Sequence, residues 1–482
     1  MKHMILWYIY LYLYIFYFIF FEIYFVKNKN LNILKSNIFL LTCINKNKHI
    51  FFYILRKNKK ENNNIYHMKK SVDIYIEKFI YTDLYKEYKK IKYNNYDIFC
   101  KDIETDVNET SLHPNFLSTI QLQINKYAKK SLNEIRFKTI FSEQKIFSTS
   151  SKNPPYVFHP IYSNVNSKNN SKNSSKNSSN ISCYNDHVYF DQRFKIKKYE
   201  NIFMYLNKEK IYDTNYYIPV WNIQNIISSL FNIHDKSFIY NMLNIIIEKK
   251  EINMFQLNLS SELISRFLIE INGSLLSSLL SLKYKMSIHI GGGNHHSKKG
   301  RGDGFCIFND IAICIHFLLS NNIIKNVIVL DVDVHQGDGT AEIFHNVSNV
   351  KTISIHCKDN YPHIKKKSYI DIELNSYIED NEYLSIYENI FKIIKNILLP
   401  DTIIFYIAGV DISKDDDLGL LNISDEAIYK RDFLTYRMAI QNNIPIVTLL
   451  SGGYNQCQHV LTQKHILTFK AAKDAWNTMK KE

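Results

Sequence analysis

Asp331, Asp333 and His335 stand at alternate positions just after an apolar run, Asn326-Val327-Ile328-Val329-Leu330. The run has the character of a buried parallel strand. Carboxylates are costly at the end of such a strand unless a cation meets them. Strand side chains alternate, so these three are expected to point to one side. The tip of a parallel strand is also where α/β folds place their chemistry. For this motif alone, the competing explanation is a strand followed by a plain acidic turn.

Other strand ends carry polar groups as well. Ser287-Ile288-His289-Ile290 runs into Gly291-Gly292-Gly293-Asn294-His295-His296. The glycines let the backbone turn sharply and approach other groups closely. A lone His is more often structural, but a pair after a glycine turn at a strand end faces the same crevice as the acids. Arg301-Gly302-Asp303-Gly304-Phe305-Cys306 then leads to a helix at Asn309, and Phe305 fits either a pocket wall or the core. A further apolar run, Ile403 to Ile407, ends in Ala408-Gly409-Val410-Asp411. Asp411 is either a ligand or a turn acid. The last run, Pro445–Leu450, ends in Ser451-Gly452-Gly453-Tyr454. Two Asp and one His from two strands make a Zn²⁺ site with three protein ligands and an open position for water. Carboxylate-rich ligation equally suits Mn²⁺ or Fe²⁺.

The elements that must position these residues form a regular pattern from about Tyr184 onward. Apolar β-type runs at 286–290, 326–330, 351–355, 402–407 and 445–450 alternate with helix-like stretches at 309–321, 381–398, 424–442 and 458–479. Strands alternating with helices imply an α/β fold with a mainly parallel sheet covered on both faces.

The remaining chain is less informative. At 482 residues it has room for one large domain plus extensions. The net charge is +14, yet Lys27 to Lys60 contains no acid, so the basic excess lies mainly at the front. It therefore says little about a substrate, and direct nucleic-acid binding does not follow from it. The seven Cys lack CxxC spacing, which argues against a disulfide framework and a Cys-type zinc site. Met4 to Phe21 is an unbroken apolar and aromatic run. Its length is at the lower limit for spanning a bilayer, roughly 17–25 residues. Residues 1–26 are expected to be a hydrophobic leader or membrane segment, with membrane contact through 4–26. Residues 27–150 are expected to be a basic, weakly structured extension, and 151–482 the principal domain. Within that domain, 163–182 is a Ser/Asn/Lys near-repeat, expected to be a disordered insertion. If the leader is used, the chain is membrane-associated or organelle-targeted; otherwise it is nuclear or cytoplasmic.

The motifs GGGNHHS, GFCIFND, DVDVHQGDG, AGVD and SGGY, in this order and spacing, resemble the zinc-dependent histone deacetylase family across about 184–470. Looser similarity reaches back to Tyr156-Val157-Phe158-His159-Pro160. Gln-Gly-Asp-Gly after His335, Leu418-Gly419-Leu420-Leu421-Asn422-Ile423-Ser424 and Lys430-Arg431-Asp432 resemble class IV deacetylases in detail. Gln192 stands where class IV members usually have His.

The resemblance implies an arginase/deacetylase-like single domain with the site at strand carboxyl ends. It implies Asp333, His335 and Asp411 as zinc ligands, with Fe²⁺ as the alternative ion. His295 and His296 would be the acid/base pair, and Asp331 and Asp338 the carboxylates behind them. Tyr454 would polarise the substrate carbonyl. Gly304, Phe305, Tyr361 and Leu418 would line a narrow tunnel for an acyl-lysine side chain. A K⁺ near Asp331 and Ser354 is also implied. The partners implied are acylated lysines of histones or other proteins, with chromatin complexes among them.

Amide hydrolysis needs a nucleophile, oxyanion stabilisation and a proton for the leaving amine. His296 is the expected proton carrier, His295 an electrostatic aid and Tyr454 the oxyanion donor. A two-metal ureohydrolase site of related fold would want acids where Gly337 and Ser413 stand. Long-chain acyl-lysine and acetylpolyamine are alternative substrates. A catalytically inactive chromatin-binding protein would be expected to lack a ligand or the Tyr, and none is missing.

Overall fold

A computed structural model describes residues 38–44, 50–56, 72, 114–132, 153–163, 193–208 and 216–479. The expected leader, Gln192 and the near-repeat from 164 to 182 lie outside the described residues. The chain divides into two compact units, Met1–Met68 and Lys69–Glu482. In the first, β1 (Ile38–Ile44) and β2 (Ile50–Arg56) pair antiparallel, with Ile44 opposite Ile50.

The second unit begins ahead of the expected boundary at residue 151. Its first described helix, α1 (Pro114–Leu132), buries Ile120, Ile124 and Ala128 in the main core. Those positions follow helical spacing on one face. The central sheet has eight strands. In chain order they are β3 (Tyr156–Val157), β4 (Tyr216–Tyr217), β7 (Met286–His289), β8 (Asn326–Asp331), β9 (Val350–Cys357), β10 (Ile370–Leu374), β11 (Thr402–Ile407) and β12 (Ile446–Leu449). A separate short hairpin supplies β5 (Ile252–Met254) and β6 (Leu257–Leu259). The spatial order is β10-β9-β8-β11-β12-β7-β3-β4, and every neighbouring pair is parallel.

This order creates the crevice. From β8 the chain moves outward through β9 and β10, then returns to the other side of β8 as β11. Connections leaving β8 and β11 in opposite directions open a gap at their carboxyl ends, the usual position for a site in such sheets. Strands β7, β11 and β12 are buried at every residue. Both faces are covered, which is why these strands are continuous apolar runs without alternation.

Ten helices of the described residues complete the architecture. Besides α1 they are α2 (Lys198–Lys208), α3 (Ile227–Ile233), α4 (Lys236–Glu248), α5 (Ser261–Tyr284), α6 (Asp310–Ser320), α7 (Asp338–Phe344), α8 (Asp380–Ile397), α9 (Asp425–Gln441) and α10 (Gln458–Met479). The helices expected at 309–321, 381–398, 424–442 and 458–479 form within one residue of those bounds. Helix α5 packs on β7 and β12, and α9 packs on α10. Ser260 caps α5 by accepting a hydrogen bond from Leu263 N at 3.2 Å. By length and composition α5 is apolar enough to cross a membrane, yet its most apolar window is entirely buried inside the domain.

Candidate active site

Strand β8 ends at Asp331, so alternation does not govern the two residues that matter most beyond it. Beyond it Asp333 and His335 are grouped with Asp411, while Asp331 and Asp333 both face His295. Backbone hydrogen bonds set their directions instead. Asp333 N donates to Asp331 Oδ1 at 3.2 Å, Val334 N to Asp411 Oδ1 at 2.9 Å, and His335 N to Asp333 Oδ1 at 3.0 Å. Asp331 turns towards His295, while Asp333 and His335 converge on Asp411 from the end of β11.

One ligand atom from each of Asp333, His335 and Asp411 lies within 4.8 Å of the other two, and all three residues are buried. His335 Nδ1 lies 3.1 Å from Asp333 Oδ1 and 3.2 Å from Asp411 Oδ2. Ser451 Oγ and Gly452 N each donate to Asp333 Oδ2 at 2.8 Å. Asp411 Oδ2, by contrast, is buried with no hydrogen-bond partner. Gly452 leaves room beside it: a Cβ there would run into Asp411 Oδ2 and lie 2.6 Å from Asp333 Oδ2. Burial, with Asp333 alongside, raises the Asp411 pKa to about 7. Two close, buried carboxylates with an unsatisfied oxygen are what a divalent cation would relieve. The donor set fits such an ion.

The histidine pair flanks this group. His295 Nδ1 lies 2.7 Å from Asp331 Oδ2, and His296 Nδ1 lies 2.8 Å from Asp338 Oδ1. Burial works against a charge on His295, but Asp331 and Asp333 outweigh it and raise its pKa to about 9. Burial and the charge of His295 lower the His296 pKa to about 4, despite Asp338. The two imidazoles are thus shifted in opposite directions, His295 up by its carboxylates and His296 down by burial.

Residues that sequence reasoning missed hold the glycine turn. Asp310, at the start of α6, accepts from Gly293 N at 3.2 Å and Asn294 N at 2.8 Å. Glu270 on α5 accepts from Gly292 N at 3.0 Å and pairs with Arg266 at 2.8 Å. Gly292 and Gly293 adopt φ of 71° and 89°, which L side chains rarely take. Asp310 is the last residue of the GFCIFND motif, where nothing in the sequence assigns it a role. Arg266 and Glu270 lie four apart on α5, and that spacing was the available signal.

The tyrosine and the residues expected to line a tunnel are joined by ring contacts and loop hydrogen bonds. Tyr454 follows β12, its backbone N donating to Asp416 Oδ2 at 2.7 Å. Its ring centroid is 5.9 Å from those of His335 and Phe305. Burial, with Asp333 and Asp411 near, pushes the phenol well above its ordinary value, so it remains a donor. Phe305 is buried and stacks on Phe194 at 5.6 Å. Its φ of 65° is strained for a side chain of this size and re-aims the ring. At Gly304 (φ 48°) a Cβ would lie 2.5 Å from His296 Cδ2. Tyr361 meets the His296 ring edge-on at 4.8 Å. The carbonyl of Leu418 accepts from Asn360 Nδ2 at 2.8 Å, joining its loop to that of Tyr361. Ser354 pairs in register with Asp331 and lies 2.9 Å from His356 Nδ1. Lys198 buries its ammonium against the Ser451 carbonyl at 2.5 Å, a contact its place in the sequence does not signal.

The sequence pattern of the histone deacetylase domain matches residues 192–468. An uncharacterized protein of Picosynechococcus is 34% identical over 217 residues, covering 45% of this chain and 72% of that protein. Histone deacetylase 2 of Arabidopsis thaliana is 36% identical over 188 residues, 38% of this chain and 48% of its own length. Acetoin utilization protein AcuC of Staphylococcus aureus is 32% identical over 195 residues, 38% and 50% of the two chains. The matched part thus spans about half the length of the latter two relatives. The chain belongs to the histone deacetylase family and carries its deacetylase hydrolase domain.

Proposed function

We propose that this chain hydrolyses the amide of acylated lysine side chains, with Zn²⁺ held by Asp333, His335 and Asp411. The observation that carries the reading is the buried Asp-His-Asp group with the His295–Asp331 and His296–Asp338 pairs on its flank. Bound there, zinc would lower the pKa of a water towards about 7 and polarise the substrate carbonyl. His296, neutral and oriented by Asp338, accepts a proton and returns it to the leaving lysine amine. Such help is worth roughly 10²–10⁴ in rate. His295, cationic against Asp331, supplies fixed positive charge. Tyr454 donates its hydroxyl to the developing oxyanion. Gly304, Phe305, Tyr361 and Leu418 exclude water from the lysine stem.

A K⁺ beside Asp331, at the end of β8, and its register partner Ser354 within β9 belongs to the same proposal. Histones are one source of acylated lysine, in keeping with the relatives named histone deacetylase. Detail resembling class IV makes longer acyl groups a second substrate to compare. The test is a deacylation assay of the purified chain on acetyl- and myristoyl-lysine peptides, with and without a hydroxamate, alongside metal analysis. Hydroxamate-sensitive release with about one equivalent of zinc, as three converging ligands imply, is expected. A metal-loaded chain inactive on both peptides would refute the reading.

A further inference from the structure

We propose that Lys298 and Asp303 are positioning residues that tie the walls of the acyl-lysine tunnel to the carboxylate behind His296. This rests on the hydrolase reading above. Five residues form a closed circuit. His296 Nδ1 lies 2.8 Å from Asp338 Oδ1, and Lys298 Nζ lies 2.8 Å from the other oxygen, Oδ2. Lys298 Nζ also donates to Asp303 Oδ2 at 3.1 Å. The Tyr361 hydroxyl donates to Asp303 Oδ1 at 2.6 Å. The Tyr361 ring then returns to His296, edge-on at 85°.

Asp303 joins two walls. Its Oδ1 takes both the Tyr361 hydroxyl and the backbone N of Gly304, at 3.1 Å. The Gly304–Phe305 wall and the Tyr361 wall are therefore fastened to one carboxylate. Lys298 fastens that carboxylate in turn to Asp338. An ammonium has three donors on a flexible stem, which suits it to bridging two acids.

The bridge is unlike a surface ion pair. The Lys298 side chain is 12% exposed, Asp303 16% and Asp338 0%. Exposed pairs are weakened by solvent and by the entropy of long side chains. Here Asp338 is wholly buried and its Oδ2 makes no directed hydrogen bond, so the 2.8 Å ion-pair contact with Lys298 is what meets that oxygen. Burial by itself would raise the Asp338 and Asp303 carboxyls, but their donors hold both below the usual range. Arg301 reaches Asp303 Oδ2 at 2.8 Å from a 63% exposed position, so it supplements the bridge from solvent. Without Lys298, Asp338 and Asp303 lose their shared counter-charge. Tyr361 loses a fixed acceptor, and both the tunnel width and the ring packed on His296 are free to shift. A misplacement of about 1 Å near reacting groups can cost on the order of 10² in rate.

The test is a double-variant cycle on the full chain, measuring kcat and KM with an acetyl-lysine peptide. Lys298→Met should lower kcat/KM roughly tenfold or more through misplacement. Lys298→Arg should recover most of the loss, because it keeps the charge. Tyr361→Phe should cost less in the Lys298→Met background than in the wild type, since both break one circuit. Lys299→Met, exposed and outside the circuit, is the control expected to match wild type. Strictly additive losses, or wild-type rates in Lys298→Met, would overturn the proposal while leaving the hydrolase reading intact. If Lys298→Met does not fold, Asp303→Asn replaces it in the same cycle: non-additive losses with Tyr361→Phe support the proposal, and additive losses or wild-type rates overturn it. An inactive, metal-loaded wild-type chain would overturn the hydrolase reading and this proposal with it.

Discussion

The imidazoles of His295 and His296 lie with ring centroids 4.1 Å apart, yet their surroundings shift their pKa values in opposite directions. His295 faces two carboxylates, Asp331 at 2.7 Å from Nδ1 and Asp333 at 3.9 Å from Nε2. His296 faces Asp338 alone, and that acid is shared with Lys298. Adjacent residues in sequence are therefore separated in pKa by how many carboxylates each meets and what else those carboxylates bind.

A pH profile should report this split. His296 must be neutral to accept a proton, so kcat/KM should fall on the acid side near its pKa of about 4. His295 contributes as a cation, so activity should also fall as pH passes about 9. The plateau between should be broader than an unperturbed histidine near 6.5 would give. Asp331→Asn removes the first of the charges that hold the His295 proton, and its alkaline limb should move to lower pH. An alkaline limb that stays in place would remove His295⁺ from the mechanism.

Tyr454 separates oxyanion stabilisation from metal binding. Asp333, His335 and Asp411 bring three ligand atoms together, and the Tyr454 ring lies 5.9 Å from that of His335. Tyr454→Phe should lower kcat by about 10²–10³, the usual cost of losing one oxyanion donor. Zinc content should equal wild type. Wild-type turnover in this variant would take Tyr454 out of the chemistry, and lost zinc would mean that the ring supports the ligands instead.

The candidate ligands Asp333, His335 and Asp411, and Tyr454, were singled out because each follows an apolar run that reads as a buried strand. The sheet order was not legible, since hydrophobic runs carry no information about which strand lies beside which. Helix α5 escaped for a different reason. It is buried almost all round, so Leu263, Leu268, Leu275 and Leu279 stand among equally buried serines, and no polar face marks the period. With α5 unseen, Glu270 and Arg266 had no place. Asp303 and Lys298 were likewise unreadable. They act through Tyr361, far along the chain, and only the folded loops bring them together.

Gly452 tests whether the metal site needs empty space. A Cβ there would collide with Asp411 Oδ2 and crowd Asp333 Oδ2. Both carboxylates are fixed by backbone donors, so they have little freedom to yield. Gly452→Ala should therefore lose zinc and activity together while keeping the far-ultraviolet circular dichroism of the folded sheet. Full zinc occupancy in the variant would show that the carboxylates can move aside.

Arg431 shows how far the site's support extends into the core. Its side chain is completely buried and pairs with Asp432 at 2.7 Å. It also donates to the Gly409 carbonyl at 2.9 Å and more weakly to Val332 at 3.4 Å. These carbonyls lie on the segments that leave β8 and β11 towards Asp333 and Asp411, so one guanidinium braces both ligand-bearing loops. Tyr406 donates to the same Asp432 carboxylate. Arg431→Met would leave that carboxylate buried without its cation, a loss typically worth about 3–5 kcal/mol. The thermal midpoint should fall steeply. Arg431→Met with Asp432→Asn should regain part of the stability, because the uncompensated charge is gone, but not full zinc affinity, because the loops remain unbraced. Equal recovery of both in the double variant would reduce Arg431 to a counter-charge for Asp432.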